Sequence, residues 1–350
     1  MSPVASTGRK VGPQAINKMI AKSRDMDVKP FTGLSPDVVL DAAGSVGLEV
    51  DGRLFALNSY ENRVYQLGRP GGMLVLKFYR PARWTDEQID EEHRFTAELA
   101  AAELPVAAPV EVEGRTLFKY RQFRFAAFPW MAGRTPELDA PEARQIFGRT
   151  LARLHQIGAV RPFVARPKVG IHRLGWEARQ QVLASELLPE YLHDKYASVS
   201  ATLLERVEQA FREAGPVREI RIHGDCHMGN LLWNERGPVL VDLDDCAMGP
   251  RIQDLWMMLA GSGADQQRQW GELLEGYQQF ADFDFREIRL IEPLRALRML
   301  HHAAWVSHRW LDPAFPRAFP WLGEPRYWEG YLRDLVEQVE AVEDPPMLRA

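Results

Sequence analysis

The chain has 350 residues, of which 46% are hydrophobic and 26% are charged, and its formal net charge is −5. This length allows one large domain or two modest domains with a substantial buried core. The mildly acidic balance gives no support for nucleic acid or an anionic membrane surface as the main partner. No apolar run approaches the roughly 18 residues that are needed to span a bilayer, and the first residues have no apolar signal core. We therefore expect a cytoplasmic globular protein that has neither nucleic acid nor a membrane as its partner.

The N-terminal part of the chain predicts a tail, then a helix, then strands. Residues 1–30 are basic and poor in large apolar residues, which predicts a disordered tail. Ser35 followed by Pro36 is typical of a helix start. Apolar and aromatic runs between turn residues then predict five strands, at residues 54–57, 63–67, 73–79, 111–118 and 123–128.

Two loops between these strands are candidates for binding phosphates. Residues 68–72 are rich in glycine, but they lead into a strand rather than a helix N-terminus, which favours a simple hairpin turn. No G-x-x-x-x-G-K-[ST] motif occurs in the chain. Residues 58–62 are polar and connect two strands, and their hydroxyl and amide groups can reach a nucleotide. We expect the loop at residues 58–62 to cover the phosphates.

Lys77 lies inside an apolar strand, where a lysine without a partner is costly. Alternation along the strand also allows a solvated position for its side chain. The helix that is predicted from Thr85 onward carries two adjacent acids, Glu91 and Glu92, and only one of them can point inward. Kinases use such a pair, a strand lysine and a helix glutamate, to hold the lysine toward phosphates.

The pattern H-x-D-x-x-x-x-N, formed by His223, Asp225 and Asn230, precedes a predicted hairpin in the second half of the chain. Apolar runs on either side of a polar turn predict the hairpin over residues 231–241. Asp242 follows its second strand. This pattern, followed by an aspartate after an apolar strand, is the arrangement by which kinases position a hydroxyl and hold magnesium.

Each polar residue of this segment has a predicted role. Asp225 is placed to accept or orient a hydroxyl proton, while Asn230 supplies a neutral oxygen ligand and Asp242 an anionic one. Magnesium prefers a few protein oxygens together with phosphate and water, which this set matches. Asp244 and Asp245 extend the acidic run, and we interpret them as supporting hydrogen-bonding residues.

Zinc is the competing metal, because His223, Asp225, Cys226 and His227 are crowded together. The spacing is not H-E-x-x-H and no C-x-x-C pair exists, so zinc is disfavoured. The two cysteines, Cys226 and Cys246, are too few for a disulfide framework. We interpret them as small buried thiols, with redox sensitivity near the site as the alternative.

Residues 129–133 form an apolar segment that ends in glycine, which we interpret as a hinge whose backbone groups can bind an adenine edge. The pattern beyond it is mostly helical, with helices predicted at residues 143–158, 176–214, 254–260, 268–280 and 286–310. The sequence therefore predicts an α+β protein with two lobes: a β-rich, nucleotide-binding lobe over residues 31–130 and a mostly helical, catalytic lobe over residues 131–345.

The residues around Asp225 and Asp242 resemble the aminoglycoside phosphotransferase and choline kinase superfamily, whose fold is protein-kinase-like. A closer resemblance, to the bacterial stress-response serine/threonine protein kinases, covers nearly everything from residue 31 to residue 345. It rests on several unusual strings, at residues 58–65, 77–81, 249–257, 292–296 and 312–316. The resemblance implies an ATP- and magnesium-dependent kinase that phosphorylates Ser or Thr in proteins, including itself, during stress. We expect it to be a monomer.

The resemblance also implies roles for single residues. Asp225 and Asp242 are the implied catalytic residues, with Asp225 as the proton acceptor, and Asn230 and Asp242 are the implied magnesium ligands. Ser59 is implied to contact ATP, and Lys77 to pair with its phosphates.

Leu104-Pro105 breaks the predicted helix. Counting residues back from this break, within the resemblance, favours Glu91 over Glu92 as the partner of Lys77. Unlike eukaryotic protein kinases, the chain has Gly224 where their catalytic loop has arginine, and it has no A-P-E segment. Regulation through a phosphorylated activation loop is therefore not expected.

Three points stay open at this stage. A small alcohol or amino sugar is the alternative acceptor to a protein, since one fold serves both. A nucleotide-binding regulator without turnover would be expected to lack some of the site residues, and Lys77, Asp225, Asn230 and Asp242 are all present. Residues 301, 305 and 308 share one helical face that either lines a substrate cleft or packs in the core.

Overall fold

The computed structural model describes residues 29–344 and residue 348. The predicted tail at residues 1–30 therefore lies almost entirely outside the described residues. The described part consists of a five-stranded sheet followed by a mostly helical body, which confirms the predicted α+β class. Within this part of the chain, no helix is both long enough and apolar enough to cross a membrane.

The N-terminal sheet contains β1 (Leu54–Leu57), β2 (Arg63–Arg69), β3 (Gly72–Phe78), β4 (Phe118–Tyr120) and β5 (Phe123–Pro129). It is antiparallel, in the order β1-β2-β3-β5-β4. The strand predicted at residues 111–118 is wrong for most of its length, because only an isolated bridge between Val112 and Arg115 forms there. Glu113 and Gly114 take left-handed backbone conformations, which turn the chain before a strand can extend.

Two helices pack with this sheet, and both begin where the sequence predicts. Helix α1 (Pro36–Ser45) starts at Ser35, whose hydroxyl accepts a backbone N–H of the first turn. Helix α2 (Asp86–Ala101) starts with a capping box, in which Thr85 and Gln88 each accept the backbone N–H of the other. Helix α2 carries both candidate acids for Lys77.

Helix α2 also joins the core of the sheet region to the core of the helical body. Phe95 and Leu99, in its second half, pack into the largest buried cluster together with Leu151 and Leu240. Ile89, in its first half, packs beside strand residues of the sheet region. Each of these side chains contributes roughly 1.5–3 kcal/mol by burial, so α2 is held firmly on both sides.

The helical body contains α3 (Pro141–Gly158), α4 (Ala178–Leu183), α5 (His193–Ala214), α6 (Ile252–Trp256), α7 (Gly263–Tyr277), α8 (Ile291–His308), α9 (Ala314–Ala318) and α10 (Pro325–Glu343). The stretch predicted as helix-prone, residues 176–214, is helical over much of its length but does not form one continuous helix. A π-helical turn (His172–Glu177) leads into α4, and α5 begins only after Pro189. Proline lacks a backbone N–H, so the chain cannot continue an existing helix through that position.

Four short strands in this body carry the predicted site segment. Strand β6 (Ile220–Ile222) pairs with β9 (Ala247–Gly249), and β7 (Leu231–Asn234) pairs with β8 (Gly237–Leu240), which confirms the predicted hairpin. Strand β5 ends at Pro129, next to the proposed lobe boundary at residue 130, and that boundary stays a prediction.

Candidate active site

A cleft of about 680 Å³ is lined by residues of both the sheet and the helical body. Most of the residues predicted for the site line this cleft, namely Ser59, Lys77, Asp225, Asn230 and Asp242. Glu91 is not among its lining residues, whereas the neighbouring Glu92 is. The fold thus brings together groups that lie far apart along the chain.

Lys77, on β3, is 6% exposed and faces three carboxylates. Its Nζ atom lies 2.9 Å from Asp242 Oδ1, 3.0 Å from Asp244 Oδ1 and 3.6 Å from Glu92 Oε1. Burial acts to lower the pKa of Lys77, but the three negative charges outweigh it and raise the pKa well above its ordinary value. The lysine is therefore charged at neutral pH and does not lie on a solvated sheet face.

The acid on α2 that approaches Lys77 is Glu92, so the prediction of Glu91 is wrong. The carboxylate of Glu91 accepts the backbone N–H groups of residues 164–166, over 2.7, 2.9 and 2.8 Å. Adjacent side chains on a helix point about 100° apart, so only one of the two acids can face β3. Glu91 instead attaches α2 to the loop after α3.

Glu92 is buried between two positive charges. Its Oε2 atom lies 3.7 Å from Nη1 of Arg166, and its Oε1 atom faces Lys77. Burial raises the pKa of Glu92 to about 7; Lys77 acts to lower this pKa, and the nearby Asp244 acts to raise it. The ion pair with Lys77 therefore weakens as the pH falls below neutrality.

Asp244 and Asp245 form supporting contacts, as their position after Asp242 predicted. Asp244 is buried, forms an ion pair with Arg83 and accepts a hydrogen bond from Asn62 Nδ2 over 3.2 Å. Nη2 of Arg83 also lies 2.7 Å from Asp245 Oδ1. Arg83 thus joins the loop after β3 to the acidic turn of the helical body.

Both carboxylate oxygens of Asp225 are engaged. Oδ1 accepts a hydrogen bond from Arg298 on α8, while Oδ2 lies 3.3 Å from His227 Nε2 and 3.4 Å from Asn230 Nδ2. Burial acts to raise the pKa of Asp225, but the hydrogen bond from His227 and the charge of Arg298 hold it below its ordinary value. Asp225 is therefore ionised at neutral pH and fixed in orientation.

The backbone before Asp225 is held by a buried aspartate. Asp254 accepts the backbone N–H groups of His223 and Gly224, over 2.7 and 2.8 Å, and its Oδ2 lies 3.1 Å from His155 Nε2. Gly224 has a φ of +85°, and a Cβ atom there would lie 2.3 Å from the carbonyl oxygen of Asp245. The position therefore requires glycine, which explains the departure from the arginine of eukaryotic kinases.

Asp242 also has a left-handed backbone, with φ 56° and ψ 68°, which is strained for a non-glycine residue. This conformation turns the chain out of the hairpin and leaves the side chain 52% exposed. The backbone N–H of Val241 donates to the carbonyl of Asn230 over 3.1 Å, so the two predicted magnesium ligands belong to adjoining segments.

The loop at residues 58–62 is attached to the helical body. Ser59 lines the cleft, and its hydroxyl donates to the carbonyl of Asn62 over 3.0 Å. Glu61 accepts a hydrogen bond from Trp305 Nε1 on α8 over 2.6 Å, and Arg80 Nε lies 3.0 Å from its Oε1. The loop that is predicted to cover the phosphates is therefore fixed on the side that faces α8.

Helix α8 forms one wall of the cleft, with lining residues Leu294, Arg298, His301, His302 and Trp305. Of the helical face with two open interpretations, residues 301 and 305 line the cleft, while residue 308 is not among the lining residues. Sequence reasoning did not single out Arg173, which lines the cleft from the π-helical turn. Arg173 lies just before the helix-prone stretch at residues 176–214, and no local pattern identifies it as a site residue.

The sequence model of the phosphotransferase enzyme family matches residues 54–291. The chain belongs to this family. It is 44% identical over 318 residues to stress response kinase A of Escherichia coli strain K12, which covers 91% of this chain and 96% of that relative. It is 43% identical over 318 residues to serine/threonine protein kinase RdoA of Salmonella typhimurium strain LT2, which again covers 91% of this chain and 96% of that relative. The resemblance to bacterial stress-response kinases is confirmed.

Solved structures of other phosphotransferases share the two-lobed fold. Amicoumacin kinase hAmiN, in complex with AMP-PNP and Ca²⁺, has a TM-score of 0.67 at 19% identity, covering 89% of this chain and 94% of its own. A microcompartment-associated aminopropanol kinase has a TM-score of 0.63 at 20% identity, covering 86% and 99%. These likenesses confirm the aminoglycoside phosphotransferase and choline kinase type of fold.

The alternatives of a zinc site and a redox site gain no support in this phosphotransferase. Among the residues that the structure describes, no group of three or more His, Cys, Asp and Glu side chains is placed to hold a metal ion. Cys226 and Cys246 are both buried, and burial raises the pKa of each thiol. A protonated, buried thiol is a poor nucleophile.

Proposed function

We propose that this phosphotransferase is a cytoplasmic, monomeric serine/threonine protein kinase that uses ATP and Mg²⁺, phosphorylates itself and other proteins, and acts in a stress response. The observation that carries the proposal is the single cleft in which Lys77 faces Asp242 while Asp225 lies beside Asn230. The relatives named stress response kinase A and serine/threonine protein kinase RdoA support the protein acceptor and the stress response.

The sheet side of the cleft suits a nucleotide. Apolar side chains that can contact an adenine ring line it, among them Val64, Val75, Ala107, Phe128, Met131 and Leu232. Ser59 and Lys77 also line the cleft, and we assign them to the phosphates of ATP. An ammonium group that is already held by carboxylates acts as a fixed positive charge, so little reorganisation is needed when phosphates bind.

The donor set fits a magnesium ion. Asp242 presents a half-exposed carboxylate, and Asn230 adds a neutral carboxamide oxygen, since its nitrogen already donates to Asp225. Two protein oxygens leave room for the phosphates and water that Mg²⁺ prefers. When bound, the ion would neutralise charge on the phosphates. This assignment gives Asp242 both its catalytic and its metal-binding role.

We assign the proton transfer to Asp225. The acceptor hydroxyl oxygen bonds to the γ-phosphorus while the bond from that phosphorus to the bridging oxygen of ADP breaks, and the hydroxyl proton passes to Asp225. Because the pKa of Asp225 is held low, the residue mainly orients the hydroxyl and receives the proton late in the transfer. Asp254 and Gly224 act by positioning the backbone that carries it.

A small alcohol or amino sugar is the rival acceptor, and two arginines of the cleft disfavour one that carries an ammonium group. Among the solved structures of similar fold, one is an aminopropanol kinase and another an ethanolamine kinase. The wall of this cleft near Asp225 carries Arg298, and Arg173 also lines it. Two positive charges a few ångströms apart repel each other in a partly buried site, so an ammonium group placed against Arg173 or Arg298 is disfavoured.

The proposal is tested by incubating purified protein with Mg²⁺ and ATP labelled at the γ-phosphate, followed by phosphoamino acid analysis. We expect label in phosphoserine and phosphothreonine of the protein itself and of added protein substrates. Asp225→Ala and Asp242→Ala should reduce incorporation by at least about 10²-fold. Asp265→Asn, at an exposed surface ion pair, is the matched control and should retain full activity. Undiminished labelling in both cleft variants would refute the assignment.

A further inference from the structure

Arg173 is an unusual arginine within the cleft. It projects from the π-helical turn before α4, and such turns often occur at functional sites. Its Nε atom is buried and has no hydrogen-bond partner among the described residues. The side chain as a whole is only half-buried and lines the cleft. A cation with an unmade hydrogen bond in such a position favours an anionic ligand there.

The acids nearest to Arg173 already have partners of their own. Asp245 and Glu177 are the carboxylates whose charges act on Arg173. Asp245 forms its ion pair with Arg83 at 2.7 Å, and Glu177 lies 2.9 Å from His172 Nδ1. The positive charge of Arg173 is thus only partly balanced by its surroundings.

Arg298 extends this positive region toward the proposed catalytic aspartate. Arg298 bonds Asp225 directly, and an acceptor hydroxyl that takes over this contact would free the guanidinium. His301 lies one turn further along α8, and its pKa is lowered to about 4 by burial and by the charge of Arg173. His301 is therefore neutral at pH 7, and Arg173 and Arg298 are the positive charges on this wall of the cleft. The other cations that line the cleft, Lys77 and Arg83, are paired with Asp242, Asp244 and Asp245.

We propose that Arg173, together with Arg298, binds a carboxylate or phosphate group that the acceptor carries close to its hydroxyl. The planar guanidinium fork matches both of these anions in two-point contact. In a protein substrate, this group is an acidic or phosphorylated side chain near the target Ser or Thr. The inference rests on the proposed function in one respect, that the acceptor hydroxyl binds at Asp225.

The test uses serine peptides that are identical except for Glu, Gln or Lys beside the target residue. We expect kcat/KM for the Glu peptide to exceed that for the Gln peptide at least about tenfold, because a charge-assisted contact is gained. Arg173→Gln should reduce this ratio below about threefold, and Arg173→Glu should reverse the preference in favour of Lys, which a merely misfolded site cannot do. Arg206→Gln, which removes one charge from an exposed pair with Glu343, should keep the wild-type ratio.

Equilibrium binding of the same peptides to wild-type protein, in the presence of Mg²⁺ and AMP-PNP, measures the preference without turnover. Two small acceptors test whether a small molecule, rather than a protein, carries the anion. Glycerate has a carboxylate near its hydroxyl groups, whereas ethanolamine has an ammonium group instead. If no peptide binds or is phosphorylated but glycerate is preferred, the protein-kinase proposal fails and the anion site stands. A preference for Lys peptides, or equal use of all peptides and of both small acceptors, would overturn the anion site.

Discussion

Arg80 and Asp312 form a buried ion pair between positions that are 232 residues apart in the chain. Arg80 follows β3 and is 1% exposed, while Asp312 lies just before α9 and is 2% exposed. Glu61, in the loop at residues 58–62, lies 3.0 Å from Arg80 Nε and 3.2 Å from Arg309 Nη2. The proposed phosphate loop and the end of the acceptor-side helix are therefore joined through one buried ionic cluster.

Removing the negative charge of Asp312 should destabilise the protein strongly. Asp312→Ala leaves the buried Arg80 with Glu61 as its remaining carboxylate, and breaking a buried ion pair costs about 3 kcal/mol. We expect this loss in the free energy of unfolding measured by urea denaturation. The control is Asp41→Ala, which removes an exposed pair 4.0 Å from Arg121 and should have no measurable effect. Equal stability of the two variants would show that the cluster contributes little.

The adjacent acids Glu91 and Glu92 should give opposite phenotypes. Glu91→Ala removes the acceptor of three backbone N–H groups, so we expect a loss of about 3 kcal/mol in stability. Glu92→Gln removes a charge that faces Lys77, so we expect kcat/KM for ATP to fall by about tenfold or more with a smaller change in stability. Urea denaturation and steady-state kinetics on both variants decide the matter. If Glu91→Ala alone impaired ATP use in folded protein, the assignment of Glu92 would be wrong.

Stability should fall on acidification, in part through His93. His93 is buried, and its ring nitrogens lie 2.8 Å from the Tyr79 hydroxyl and 2.8 Å from the Thr116 hydroxyl. Burial, and then the charge of Lys77, lowers its pKa from 6.5 to about 3. Between pH 6.5 and pH 3, His93 binds a proton in the unfolded chain but not in the folded protein. The free energy of unfolding therefore decreases as the pH falls, and at pH 5 it is lower than at pH 7 by about 2 kcal/mol on account of His93.

Urea denaturation at pH 7 and pH 5 checks this dependence. We expect His93→Gln to reduce the difference between the two pH values by about 2 kcal/mol. His172→Gln, at a side chain that is 83% exposed, should leave the difference as in the wild type. An unchanged pH dependence in His93→Gln would show that His93 does not titrate as proposed.

The sequence predicted the parts of the site that depend on local pattern. Asp225 and Asp242 come shortly after β6 and β8, and Asn230 directly precedes β7. The pairing of the β7–β8 hairpin therefore brings Asn230 and Asp242 to the same end of the hairpin. The choice between Glu91 and Glu92 was wrong because it depends on the rotation of α2 relative to β3, which is set by packing at both ends of the helix.

Contacts between distant segments were not predictable from pattern. Arg83 and Arg173 carry no local signature, since a single arginine in a loop or helix normally lies on a solvated surface. Their roles arise only when the fold places them beside Asp244 and in the cleft. The short left-handed turn at Glu113 and Gly114 similarly ended a predicted strand, because two successive residues with positive φ redirect the backbone.

The two cysteines should be inert in the folded protein. Cys226 is 2% exposed and Cys246 is 0% exposed, and their raised pKa values keep both thiols protonated at neutral pH. We expect a thiol-specific aromatic disulfide reagent to label neither in native protein and both in 6 M guanidinium chloride, since reaction requires unfolding. Val164→Cys, at a position that is 91% exposed, serves as a positive control and should add one rapidly labelled thiol. Rapid native labelling of the wild type would instead support a redox-sensitive site beside Asp225.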